Sequence, residues 1–102
     1  MTIGTQLLAC GSAFPEKIMT NKDFESFLET TDEWIKSRTG IETRRIADGS
    51  KGESTAPFAL KAAEAALKKA NVSADEIELI IVGTTTPDRI MPCTANEVQR
   101  GL

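Results

Sequence analysis

The stretch ELIIVGTTTPD, Glu78 to Asp88, carries the strongest fold signal in the chain. Leu79 to Val82 is a run of branched apolar residues without alternation. A strand with one wet face alternates apolar and polar side chains, whereas an unbroken run marks a strand buried on both faces. Pro87, Asp88 and Pro92 then make the following segment a loop.

Working outward, the segment before this strand is the clearest helix. Ser54 or Thr55 can cap it, and Pro57 is tolerated in its first turn. Its apolar set is Phe58, Ala59, Ala62, Ala63, Ala66, Leu67 and Ala70, with Lys61, Glu64, Lys68 and Lys69 on the other side. The alanine-rich face implies close packing on a sheet. Ser73 and Glu76 have capping-box spacing and start one short turn. Thr94 and Glu97 repeat that spacing and open a helix over Thr94 to Arg100.

Toward the N-terminus, Ile3 to Ala9 reads as a buried first strand, ended by Gly11-Ser12 and Pro15. Asn21 is a good N-cap for a short helix, Lys22 to Glu29, with Phe24, Phe27 and Leu28 at core spacing. Thr31 or Asp32 caps a second helix carrying Trp34, Ile35 and Arg38, and Gly40 stops it. Ile41 to Ile46 alternates and reads as a weak edge strand. Asp48 to Ser54 is a polar loop.

This order favours an α/β layer with helices packed on a sheet. Two confident strands are too few for an independently stable sheet. The expectation is an incomplete fold: either the chain is a portion of a longer one, or a partner chain supplies the remaining strands.

The composition excludes several classes. Of 102 residues, 40% are hydrophobic and 26% charged, which suits a globular protein rather than a disordered one. The net charge of −3 and the absence of any basic run beyond Lys68-Lys69 and Arg44-Arg45 argue against nucleic acid as a partner. No apolar run reaches the length of a membrane span, and the N-terminus has no basic region typical of a signal peptide, so the expected location is the cytoplasm. Cys10 and Cys93 belong to no CxxC pair and read as free buried thiols. With no histidine, the chain supplies neither a zinc site nor a Cys-His or Ser-His catalytic pair.

The string TTDEWIKSRTGIETRR, Thr30 to Arg45, holds the only tryptophan. Trp34 and Arg38 lie one helical turn apart, so they share a face. From spacing alone, Trp34 anchors the helix in the core and Arg38 pairs with an acid such as Glu42. That string, with ALKAAEAALKKANVSADEIELIIVGTTTPD and MPCTANEVQRGL, closely resembles the N-terminal part of the β-ketoacyl-acyl-carrier-protein synthase III family. The opening LLACGSAFPEKIMTNKDFE matches the family's start as well. The resemblance covers essentially the whole chain, and the DEWI-x-x-RTGI block is its most specific part.

The resemblance implies a thiolase-like layered α/β fold, with residues 1–102 forming the N-terminal part of its first half-domain and no complete second domain. It implies a homodimeric acyltransferase that moves an acetyl-class acyl group from acyl-CoA to a cysteine. Condensation with malonyl-acyl carrier protein then starts fatty acid synthesis, with acyl-CoA as a substrate and no cofactor or metal. Trp34 and Arg38 would contact the adenine end of coenzyme A, one by its π-face and the other as a planar cation. Thr30 would hydrogen-bond the base. Thr85, in the Thr84–Thr86 run beyond the buried strand, would line the acyl pocket or a dimer contact. Met91 falls where the family usually has a Phe reaching the partner's acyl site, which puts primer preference in doubt.

Arg44 and Arg45 would suit an acidic carrier protein or the coenzyme phosphates; taken singly, each reads as a solvated strand edge. The resemblance places the catalytic Cys, His and Asn outside these residues. Neither Cys10 nor Cys93 matches the nucleophile, so the chain alone is expected to be inactive. The competing readings are a non-catalytic CoA-binding or dimerisation half-protein and a related acyltransferase of secondary metabolism.

Overall fold

A computed structural model describes residues 4–102; Met1, Thr2 and Ile3, and with Ile3 the start of the expected first strand, lie outside the described residues. The chain divides into two units, Phe14–Glu53 and a second made of residues 4–13 with Ser54–Leu102.

In the first unit, β1 (Ile18–Thr20) pairs antiparallel with β2 (Thr43–Arg45), with Met19 opposite Arg44. The weak strand expected over Ile41–Ile46 is thus present in its centre, and its partner at Ile18–Thr20 had no alternation to reveal it. Between the strands lie α1 (Asn21–Glu25) and α2 (Asp32–Thr39). Thr20, not Asn21, caps α1: the Asp23 amide donates to Thr20 Oγ1 and the Thr20 amide donates to Asp23 Oδ2 at 2.6 Å, a reciprocal capping box. The helix ends at Glu25 rather than Glu29, leaving Phe27 and Leu28 exposed while Phe24 is half-buried. Thr31 caps α2 by accepting from the Trp34 amide. Gly40 closes it at φ 69, a left-handed conformation that disfavours any residue with a Cβ.

Asn21 is displaced from capping because its side chain is needed inside. It is 1% exposed. Its Nδ2 donates to Asp32 Oδ1 and to the Ile41 carbonyl, each at 2.7 Å, and its Oδ1 accepts from Arg44 Nη1 at 2.7 Å. One amide therefore ties α1, α2 and β2 together with every side-chain polar group satisfied.

The second unit is built on α3 (Thr55–Ala70) and α4 (Thr94–Gly101), which pack against each other. The sequence sets α3 within a residue at each end. Ser73 and Glu76 form the expected capping box around the single turn Ala74–Glu76. Cys93 rather than Thr94 stands at the N-cap of α4, and Thr94 is buried. Gly11 approaches α3 so closely that a Cβ there would overlap the Ala62 carbonyl oxygen and the Ala66 amide. The small alanine face of α3 makes that approach geometrically feasible.

Neither Leu79–Val82 nor the described part of the first strand joins a hydrogen-bonded ladder; among the described residues β1–β2 is the only sheet. A ladder needs a neighbour at about 4.8 Å with its hydrogen bonds in register, and neither run forms such bonds among the described residues. Burial along the run alternates: Ile80 and Val82 are partly covered, whereas Leu79 is 75% and Ile81 84% exposed. The two-faced burial expected from the sequence is therefore half realised. Leu7, Leu8, Leu79 and Ile81 border an apolar groove of about 700 Å³ against the alanine face of α3.

Total exposure agrees. The accessible surface is 8324 Å². Two separate compact units sharing this mass would expose only about 6,800 Å² together. Ile35 and Val98 are the only large apolar side chains buried among the described residues.

Candidate functional site

In the first unit, Thr30, Trp34, Ile35, Phe24, Leu28 and Arg44 line an open groove of about 450 Å³. Its walls follow from the local folds: Thr30 sits just before the Thr31 cap, and Trp34 and Ile35 are in the first turn of α2. Ile35 points inward and is buried, which turns Trp34 outward at 57% exposure. The core-anchor role that spacing alone suggests for Trp34 thus belongs to its neighbour. Thr30 Oγ1 is a buried oxygen with no hydrogen-bond partner. Such a group costs about 1–3 kcal/mol until something satisfies it.

Arg38 lies one turn beyond Trp34 on the exposed surface of α2 and does not line the groove. The expected ion pair with Glu42 is absent: Lys36 Nζ takes Glu42 Oε1 at 2.8 Å, and that hydrogen bond pushes the Lys36 amine above its usual range. Among the described residues Arg38 forms no ion pair, so its guanidinium is available to an incoming group.

Arg44 and Arg45 are both engaged within their own unit. The Arg44 guanidinium lies 4.5 Å from the centre of the Phe24 ring while donating to Asn21, and Arg45 Nη1 donates to the Pro15 carbonyl at 3.1 Å. Sequence reasoning offered Arg44 as a candidate for the coenzyme phosphates but did not assign Phe24 to the groove. Their stack joins residues twenty apart, a pairing that helical or strand periodicity does not encode.

The second unit carries Thr85 and Met91 on the segment between Gly83 and Cys93. Both are exposed, Met91 at 84%. The segment is held at its middle. Asp88 accepts from Ser54 Oγ at 3.0 Å and from the amides of Thr55 and Ala56 at 2.9 and 2.8 Å, and Thr55 Oγ1 donates to the Thr86 carbonyl at 2.6 Å. The hydrogen bond from the Ala56 amide, with smaller help from Thr55 and Ser54, holds the Asp88 carboxyl below its usual range.

Cys10 and Cys93 are exposed free thiols, not the buried ones expected. Cys93 Sγ donates to Asn96 Oδ1 at 2.7 Å. Among the described residues no cluster of three or more His, Cys, Asp or Glu side chains could hold a metal ion, and no helix is long and apolar enough to cross a membrane.

The chain is 50% identical over 96 residues to a β-ketoacyl-[acyl-carrier-protein] synthase III of Wolbachia pipientis wMel, covering 94% of this chain and 30% of that protein. It is 47% identical over 102 residues to the synthase III of Bradyrhizobium sp. BTAi1, covering 100% of this chain and 31% of that one. Across nearly all of its own length the chain matches part of β-ketoacyl-[acyl-carrier-protein] synthase III.

It spans about 30% of the length of the curated relatives it matches. The crystal structure of 3-oxoacyl-[acyl-carrier-protein] synthase III from Aquifex aeolicus VF5 superposes with a TM-score of 0.89 at 43% identity, over 95% of this chain and 30% of that one. The priming β-ketosynthase of the R1128 polyketide pathway superposes at 0.86 with 33% identity, over 93% of this chain and 28% of the other. No protein-family model matches. The fold is accordingly part of the thiolase-like α/β architecture of these synthases.

Proposed function

We propose that these residues are the N-terminal part of the first half-domain of a β-ketoacyl-acyl-carrier-protein synthase III. The whole protein takes an acetyl-class acyl group from acyl-CoA onto a cysteine outside this chain, releasing the coenzyme thiol. It then condenses that group with malonyl-acyl carrier protein, with loss of carbon dioxide, to start fatty acid synthesis. It works as a cytoplasmic homodimer, and coenzyme A enters as a substrate carrier, with no further cofactor or metal. These 102 residues contain no histidine and only the two unpaired thiols, so by themselves they bind and orient but do not condense.

The observation that carries the reading is the groove beside α2. An indole face left open to solvent stands next to a buried hydroxyl without a partner. A purine would stack on Trp34, and a turn of the Thr30 side chain would bring its hydroxyl to the base. Arg38, unpaired and one turn away, meets the charged part of the coenzyme. Thr85 and Met91 belong to the acyl pocket or a dimer contact in this reading.

The test is acyl transfer by the full-length protein carrying Trp34→Ala or Arg38→Ala. Losing one stacking or charge contact raises KM for acyl-CoA roughly 5- to 30-fold, equivalent to about 1–2 kcal/mol, with kcat within about twofold. An unchanged KM in both variants would remove the coenzyme site from α2. Coenzyme A binding by a protein of only 11.0 kDa, without turnover, would point instead to a half-protein.

A related acyltransferase of secondary metabolism is the second reading, favoured by the R1128 superposition. The 47–50% identity to the synthase III relatives, against 33%, ranks it behind. Failure to condense any primer with malonyl-carrier protein would reverse that order.

A further inference from the structure

The N-terminus of α3 is capped in an unusual way. Ser54 occupies the N-cap, yet its side chain makes no bond to the helix; its hydroxyl donates outward to Asp88. The orphan amides of Thr55 and Ala56 go to the same carboxylate, 33 residues from Thr55 in the chain. A serine at this position ordinarily caps locally, so a remote cap is unnecessary for helix stability alone. What the remote cap adds is a fixed distance between α3 and the Gly83–Cys93 segment. Thr55 Oγ1 adds a second tether two residues away, at the Thr86 carbonyl.

Between these tethers and Cys93, which is fixed at the start of α4, little else holds the segment. Ile90 and Met91 project into solvent, and Thr85 is exposed. Within the segment the Thr86 amide donates locally to Thr84 Oγ1 at 3.1 Å. Asp88 lies between Thr85 and Met91 in the chain, so the carboxylate sets where both residues stand.

We propose that Asp88 is a positioning residue for acyl-primer selection: it clamps the Thr84–Met91 loop to the N-terminus of α3 and so sets the depth and width offered to the acyl chain. This rests on the reading that Thr85 and Met91 belong to the acyl pocket. Asp88 itself touches no substrate; it acts through the loop. With the clamp released, the loop samples positions in which bulkier primers are accepted and the short primer is held less well.

The experiment uses the full-length protein and the ratio of kcat/KM for acetyl-CoA to that for a branched five-carbon acyl-CoA. Three variants are compared: Asp88→Asn, Asp88→Asn with Ser54→Asp, and Met91→Phe. Asp88→Asn is expected to shift the ratio at least fivefold, while KM for malonyl-carrier protein stays within twofold. The Ser54→Asp change supplies a local cap and restores the melting temperature without restoring the tether, so the ratio should stay shifted. If the double variant recovers both stability and the wild-type ratio, Asp88 acts only as a helix cap and the proposal is overturned. It is also overturned if Met91→Phe shifts the ratio but Asp88→Asn, folded by circular dichroism, does not. If neither Met91→Phe nor Asp88→Asn moves the ratio, the acyl-pocket reading of the loop is at fault, and the proposal falls with it.

Discussion

Removing the Asn21 side chain should loosen α2 more than any other single polar deletion in the first unit. Asn21→Ala deletes three hydrogen bonds, each 2.7 Å long, two of them to the charged groups Asp32 and Arg44. Bonds to charged groups contribute about 1.5–3 kcal/mol each when buried, and the neutral one to Ile41 about 1. Asp32 and Arg44 are only partly buried, and both recover some hydration once the amide is gone. A net loss of about 2–3 kcal/mol is therefore expected, against the loss of the tie between α1, α2 and β2. The readout is amide hydrogen exchange across residues 32–39 in whatever length of chain contains them. Opening that is easier by 2–3 kcal/mol speeds exchange about 30- to 160-fold. Asn21→Asp should be at least as damaging, because it sets a second carboxylate against Asp32 and loses both donors. Exchange in α2 within threefold of wild type for Asn21→Ala would refute the reasoning, since it would mean the network is not what holds the helix.

Gly11→Ala places a Cβ against the α3 backbone, which cannot yield as a side-chain tip can; a loss of about 1–3 kcal/mol is expected, and an unchanged melting temperature would count against the close approach. Acid should weaken the protein through three carboxylates held low by hydrogen bonds: Asp23 chiefly from the Thr20 amide, Asp48 from Ser50, and Asp88 from the Ala56 amide. A lowered folded-state pKa contributes stability that is full above the unfolded value of 3.8 and is lost as pH falls through the lower folded one. Asp88→Asn should therefore flatten the fall in melting temperature as pH drops below 3.8, and parallel slopes for wild type and variant would contradict the clamp's charge.

What the sequence reveals here depends on how far a residue's partner lies along the chain. The apolar period of Phe58 to Ala70, the Ser73–Glu76 box and the Gly40 stop are local, and the structure follows them closely. Thr20 and Asn21 are both good caps by type, and only Asp32, Ile41 and Arg44, eleven to twenty-three residues on, decide between them. The remote cap at Asp88 is invisible for the same reason. Leu79 to Val82 gave half of its environment, the side of Ile80 and Val82, and nothing of its ladder, because a strand's partners are not written in the strand. In the candidate site, Trp34 and Thr30 were legible through the family resemblance, whereas the groove's other wall, Phe24 under Arg44, had no local signature.

The open apolar border of Leu7, Leu8, Leu79 and Ile81 has a consequence during synthesis. A ribosome releases these side chains in order from the N-terminus. If the whole protein has the length of its relatives, on the order of 200 further residues follow, which takes about 10–40 s at 5–20 residues per second. Throughout that interval the nascent chain displays four large aliphatic side chains and two strand backbones without ladders. Binding by a co-translational chaperone that recognises such segments would be strongest in this window, and would fade as the later strands arrive.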